Sequence, residues 1–198
     1  TEVIRGLDNG EFEPYYQPKV ALDNASLQGA EALARWNHPQ LGVLPPSHFL
    51  HIMEHHSLLD RLFWQLFDQG LALRRKLAQK GIPLSFSFNL HPSQLASQTL
   101  TESIATLLVL FQVPSSSITF EITETSLISA PASSLENLVR LRVMGCGLAM
   151  DDFGAGYSSL DRLCELPFSQ IKLDGTFVRK MGHHPRSSAI ISYTVALA

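Results

Sequence analysis

The sequence predicts an α/β fold, a (β/α) barrel entered through an antiparallel pair of strands. Three observations lead there. Two strand-like runs joined by a turn open the chain. Short strand-like runs then alternate with longer helical stretches, the pattern of parallel strands covered by helices. In each run, apolar side chains take one face and polar side chains the other.

Residues 15–20 and 28–35 form the opening strands, with the turn at Asp23-Asn24. Leu59 to Gln79 is a long helix, because Leu59, Phe63, Phe67 and Leu71 make a core stripe and Gly81 and Pro83 end it. Residues 84–89 are a strand, followed by helical sequence to about Phe111. Ile118 to Thr123 is a strand, and a helix runs over about 133–144. Residues 147–152 are a strand leading into a Gly/Ser-rich loop. Residues 170–174 are a strand, and a helix starts near Arg186. That makes six strands, whereas a complete barrel has eight and about 250 residues. The barrel is therefore expected to be incomplete at its C-terminus. The 198 residues read as one domain, 1–198.

Composition narrows the function. A net charge of −3 gives no basic footprint for a long nucleic acid, although a small anion held by a few cations fits. No apolar run is long enough to span a bilayer, and the first residues are not a signal peptide. The two cysteines, Cys146 and Cys164, lack metal spacing and read as buried reduced thiols, which fits a cytoplasmic protein.

Helix-covered strands should be apolar outward, so their polar faces point into the barrel. Gly29, Glu31, Leu33 and Arg35 share one such face; Ser85, Ser87 and Asn89 another; then Thr119, Glu121 and Thr123, Asp151, and Lys172 with Asp174. Any one of these is an ordinary polar residue near a strand end. Together, in register on successive strands, they need a compensating charge or ligand. Three carboxylates and an amide oxygen suit a hard divalent cation. Barrel active sites lie at the carboxyl ends of the strands, where these residues fall.

A competing pattern is His51-Ile52-Met53-Glu54-His55, an H-x-x-E-H arrangement used by zinc peptidases on a helix. In a chain with eight histidines it reads first as a solvent-facing helix. His183-His184 reads as a loop before Pro185, and Asp8-Asn9-Gly10 as a turn.

Glu31-Ala32-Leu33 means little alone, since a fixed tripeptide arises by chance in roughly one such chain in 40. Its context carries the weight. Tyr16-Gln17-Pro18 precedes it; Arg35-Trp36, His38-Pro39, Gly42 and Pro46-x-x-Phe49 follow. Then come Asn89-Leu90, Gln94, Glu121-Ile122-Thr123-Glu124, Asp151-Asp152-Phe153-Gly154-x-Gly156-Tyr157-Ser158-Ser159-Leu160, Leu166-Pro167, Lys172-Leu173-Asp174 and Phe177-Val178. In order and spacing these resemble the EAL family of cyclic di-GMP phosphodiesterases, in particular the EAL domains that are output modules of response regulators.

The resemblance implies a TIM-like barrel and hydrolysis of cyclic di-GMP to linear pGpG with two Mg²⁺ or Mn²⁺ ions. It makes Glu31, Asn89, Glu121 and Asp151 ligands of the first ion, and Asp151 and Asp152 ligands of the second. It makes Lys172 the residue that orients or helps deprotonate the attacking water, with Glu124 and Asp152 also in the catalytic set. Gln17, Glu31, Leu33, Arg35, Asn89 and Asp174 become substrate contacts, and Glu124 the anchor of the 152–160 loop. It further implies a homodimer or higher oligomer and an upstream receiver or sensor domain. Ala155 stands where the family usually has Thr. Two strands bearing Glu-Gly-Val-Glu and Gln-Gly are expected after the helix near Arg186. The rival expectation is a receptor that binds cyclic di-GMP without cleaving it.

Overall fold

The computed structural model describes residues 2–125, 132–154, 166–180, 188–189, 191–192 and 194–195. Its centre is a seven-stranded sheet: β1 (Phe12–Val20), β2 (Leu27–His38), β3 (Gly42–Leu44), β4 (Ser85–Asn89), β5 (Ile118–Thr123), β6 (Gly147–Phe153) and β7 (Gln170–Leu173). The strand order is β1-β2-β4-β5-β6-β7, with β3 paired to the end of β2. β1 is antiparallel to β2, and from β2 through β7 the main ladder is parallel, as expected. Among the described residues β1 and β7 are the two ends of the sheet.

Among the described residues the helices with defined bounds are α1 (Glu2–Asp8), α2 (Leu50–His55), α3 (Leu59–Gln79), α4 (Pro92–Leu95), α5 (Leu100–Phe111), α6 (Ala132–Val143) and α7 (Gly175–Arg179). The main core lies between the sheet and α3, α5 and α6. Phe86, Phe88, Ile118, Phe120, Ile122, Leu148 and Met150 point outward from the strands into it, and Phe63, Phe67 and Leu71 meet them from α3. A smaller cluster of Val3, Leu7, Phe12, Trp36, Phe49, Met53 and Leu62 ties α1 and α2 to the β1–β2 end.

Two glycines set how closely these layers approach. A Cβ on Gly70 of α3 would lie 2.5 Å from Phe88 Cζ, and one on Gly29 of β2 would lie 2.3 Å from the Ser85 carbonyl oxygen. Any larger residue would push α3 off β4, or β2 off β4.

Several elements differ from the expectation. β3 is a seventh strand, too short at three residues for alternation to reveal. β1 starts three residues earlier than expected and β2 runs three residues further, because Phe12 pairs with Trp36 and stacks on it. The helical stretch after β4 is two helices; His91 caps the first, accepting the Ser93 N–H. The last strand stops at Leu173 rather than Asp174, which caps α7 instead. Every described position from 188 onward is helical, as expected. Cys146 is buried and free, and burial pushes its thiol up to about 11. Cys164, the loop at 155–160 with Ala155, and His183-His184 lie outside the described residues.

Candidate active site

The polar strand faces converge. Register places Gln17 opposite Glu31, Glu31 opposite Ser87, Asn89 opposite Glu121, and Thr123 opposite Asp151. One oxygen each from Glu31, Glu121 and Asp151 lies within 4.8 Å of the others, and this is the only such acidic or His/Cys group among the described residues. Glu121 is at the centre, its side chain fully buried. A buried carboxylate is costly unless it is paired.

The pairing comes from two lysines. Lys172 Nζ donates to Glu31 Oε2 at 2.9 Å, to Asp151 Oδ2 at 3.0 Å and to Glu121 Oε2. Burial works against the Lys172 charge, but Glu121, Glu31 and Asp151 outweigh it and hold the ammonium above its ordinary range. Lys19 Nζ, from β1, donates to Glu121 Oε1 at 2.6 Å and to Ser87 Oγ. Burial likewise opposes the charge on Glu121, and the two lysines outweigh it, so its carboxyl sits below the usual range. Lys19 was missed in the sequence, where a lysine on an opening strand reads as solvated; alternation did place it on the face of Gln17. Asn89 Nδ2 donates to Glu31 Oε1 at 3.1 Å, which leaves its amide oxygen free of that bond.

Asp152 stands outside the three-carboxylate group. Its backbone is left-handed (φ 54°), its N–H donates to Asp151 Oδ1 at 3.0 Å, and its side chain is exposed. Partial burial, then the charges of Asp151 and Asp174, raise its pKa against the pull of Lys172. Glu124, buried, accepts the Gly154 N–H at 3.2 Å. Asp174 accepts the Thr176 N–H at 2.6 Å; hydrogen bonding to the Thr176 side chain first, and then this backbone bond, hold its carboxyl below the usual range. Arg35 donates to the Ala34 carbonyl at 2.8 Å and lies 5.8 Å from the Tyr15 ring centroid, while Gln17 is exposed. Beside the carboxylates is a cavity of about 340 Å³ lined in part by Leu33, Leu62, Phe63, Asn89, His91 and Glu121. Its wall is largely apolar, and of the three carboxylates Glu121 reaches it.

His51, Glu54 and His55 of α2 are exposed; the helix buries Met53 instead. Glu54 Oε1 lies 3.4 Å from His91 Nε2 of the α4 cap. They are not among the groups that converge on a possible ion, so the H-x-x-E-H pattern reads as a solvent-facing helix.

The EAL domain family matches residues 2–198. The chain belongs to the EAL family. It is 74% identical over 197 residues to the cyclic di-GMP phosphodiesterase RocR of Pseudomonas aeruginosa, covering 100% of this chain and 50% of RocR. It is 33% identical to the cyclic di-GMP phosphodiesterase PdeR of Escherichia coli, covering 100% of this chain and 30% of PdeR. Among solved EAL structures, the PaMucR phosphodiesterase in complex with c-di-GMP superposes with a TM-score of 0.91 at 34% identity, over 99% of this chain and 80% of that one. The chain thus spans about half the length of RocR and less of PdeR. The EAL tripeptide itself is Glu31-Ala32-Leu33, which puts one carboxylate of the centre and one wall of the cavity on a single strand. No described helix is long and apolar enough to cross a membrane.

Proposed function

We propose that this chain hydrolyses cyclic di-GMP to linear pGpG, and that the reaction takes place at Glu31, Glu121 and Asp151. The observation that carries the reading is the convergence of these carboxylates under Lys172, beside a cavity with an apolar wall. The 74% identity to RocR supports the substrate.

The donors fit a hard divalent ion, being carboxylate oxygens plus the Asn89 amide oxygen. Glu31, Asn89, Glu121 and Asp151 would hold one Mg²⁺ or Mn²⁺, and Asp151 with Asp152 a second. When bound, the ions supply positive charge at the attacking and leaving oxygens of the phosphodiester. The chain's own residues do the rest. Lys172, bonded to the three carboxylates, would share them with a bound cation and donate to the attacking water. Water adds to phosphorus, the bridging ester oxygen leaves with a proton, and one ring bond opens. Arg35 would offer a phosphate a bidentate donor, with Gln17 and Asp174 as further contacts. Leu33 offers apolar surface to a base, and Glu124 holds the start of the loop at Gly154.

A homodimer or larger oligomer, an upstream receiver or sensor domain and a cytoplasmic location belong to the same proposal. A purely receptor role is less well supported, since no ligand position in the described strands has been replaced. The test is pGpG formation from cyclic di-GMP by the full-length protein. Turnover should require Mg²⁺ or Mn²⁺ and stop with chelator; metal-independent turnover, or tight binding without pGpG, would overturn the proposal.

A further inference from the structure

Each carboxylate of the centre has one oxygen engaged by a donor other than Lys172. Asn89 Nδ2 holds Glu31 Oε1, the Asp152 N–H holds Asp151 Oδ1, and Lys19 Nζ holds Glu121 Oε1. The opposite oxygens, Glu31 Oε2, Asp151 Oδ2 and Glu121 Oε2, are the three that share Lys172. An ion replacing the Lys172 ammonium would therefore meet three carboxylates with one oxygen each. Two of the donors are neutral amides. Lys19 is the charged one, it acts on the fully buried glutamate, and it is itself fixed by Ser87, whose side chain is buried.

We infer that Lys19 is an ion-selectivity residue: by pinning Glu121 Oε1 it restricts Glu121 to one-oxygen coordination and favours small octahedral ions over Ca²⁺. This rests on the metal site of the proposed function. Mg²⁺ takes six ligands at about 2.0–2.1 Å in near-ideal octahedral geometry, which the narrow bite of a two-oxygen carboxylate distorts. Ca²⁺ takes six to eight ligands at about 2.3–2.6 Å and accepts carboxylates through both oxygens. A pinned Glu121 withholds the second oxygen from Ca²⁺ and costs Mg²⁺ nothing.

Losing the Lys19 charge would also change overall affinity, because an ammonium near a cation repels it. That effect is common to two ions of equal charge, so it cancels in the ratio of their affinities. The number of oxygens Glu121 offers does not cancel, and the ratio is therefore the quantity to measure.

The experiment binds Mn²⁺ to the full-length protein, reads free Mn²⁺ by electron paramagnetic resonance, and displaces it with Mg²⁺ and separately with Ca²⁺. Lys19→Met should shift the Ca²⁺-to-Mg²⁺ affinity ratio toward Ca²⁺ by about tenfold. Lys19→Arg, which keeps the charge and the donors, should hold the ratio near that of the parent. Ser87→Ala, a milder change that loosens the ammonium, should shift it the same way by a smaller factor and serves if the Met variant does not fold. An unchanged ratio in both Lys19→Met and Ser87→Ala, with Mn²⁺ still bound, overturns the role of Lys19 alone. No Mn²⁺ binding by the unaltered protein overturns the metal site, and the role of Lys19 with it.

Discussion

Glu124 Oε2 accepts the backbone N–H of Gly154 at 3.2 Å, across a separation of 30 residues. Gly154 has a left-handed backbone (φ 92°), as has Asp152 two residues before it, so the chain bends at the end of β6, just past Asp151. A charged acceptor at that turn is worth about 1.5–3 kcal/mol. Glu124→Gln keeps the size and loses the charge. Its cyclic di-GMP hydrolysis is expected to fall roughly 10- to 100-fold, with thermal unfolding nearly unchanged. Amide exchange at Gly154 should quicken. Unchanged exchange alongside collapsed activity would mean that Glu124 acts on the ion directly.

Asp151 shares its two oxygens between the Lys172 ammonium and the Asp152 N–H. Replacing an outer partner of a metal ligand typically costs 10- to 100-fold, and a ligand should cost at least as much. Asp151→Asn is therefore expected to lower turnover by about 100-fold or more even at saturating Mg²⁺. Near-normal rates would remove Asp151 from the centre.

The phenol of Tyr16, packed on Phe86, is pushed up to about 12 by burial and then by the charge of Glu13. The folded protein keeps a proton that the unfolded chain releases near its ordinary value of about 10. This contribution to stability is full below about pH 10 and is lost as pH rises toward about 12. Urea midpoints at pH 9, 10 and 11 should fall less steeply in Tyr16→Phe than in the parent; parallel curves would show that Tyr16 does not titrate on unfolding.

Gly70→Ala puts a methyl group 2.5 Å from Phe88 Cζ, in a core where Phe88 is 3% exposed. Overpacking of this kind costs about 1–3 kcal/mol. The denaturation midpoint should drop accordingly. Because Phe88 precedes Asn89, the Mg²⁺ requirement should rise too; a variant as stable as the parent would mean that α3 slides freely over β4.

His51→Ala and His55→Ala change exposed side chains on α2. Hydrolysis within a few-fold of the parent is expected. Stoichiometric zinc lost in both variants, with peptide cleavage in the parent, would revive the peptidase pattern.

Where apolar side chains repeat on a long element, the sequence was easy to read. The bounds of α3 and β5 follow from their stripes, and the inward residues Glu31, Asn89, Glu121, Asp151 and Lys172 follow from alternation alone. Short elements were not legible: β3 has only three residues, paired locally to the end of β2, and the seven-residue α1 is held by contacts distant in sequence, such as His38 with Glu2 at 3.0 Å. Asp174 looked like one more strand residue because a helix cap is a local event that strand periodicity does not register. The role of Lys19 was invisible for another reason: it depends on β1 and β5 being brought together across two intervening strands.

That same convergence of strands sets when the charged centre can form during folding. Lys172 meets Glu31 across 141 residues and Glu121 across 51, while Lys19 meets Glu121 across 102. Contacts this far apart in sequence form late, since loop closure must precede them. A partly folded chain, or one still emerging during synthesis, has its acidic residues on separate strands with nothing to draw them together. It would not bring the Lys172 ammonium onto the three carboxylates until β7 has docked, so assembly of the charged centre waits for that strand.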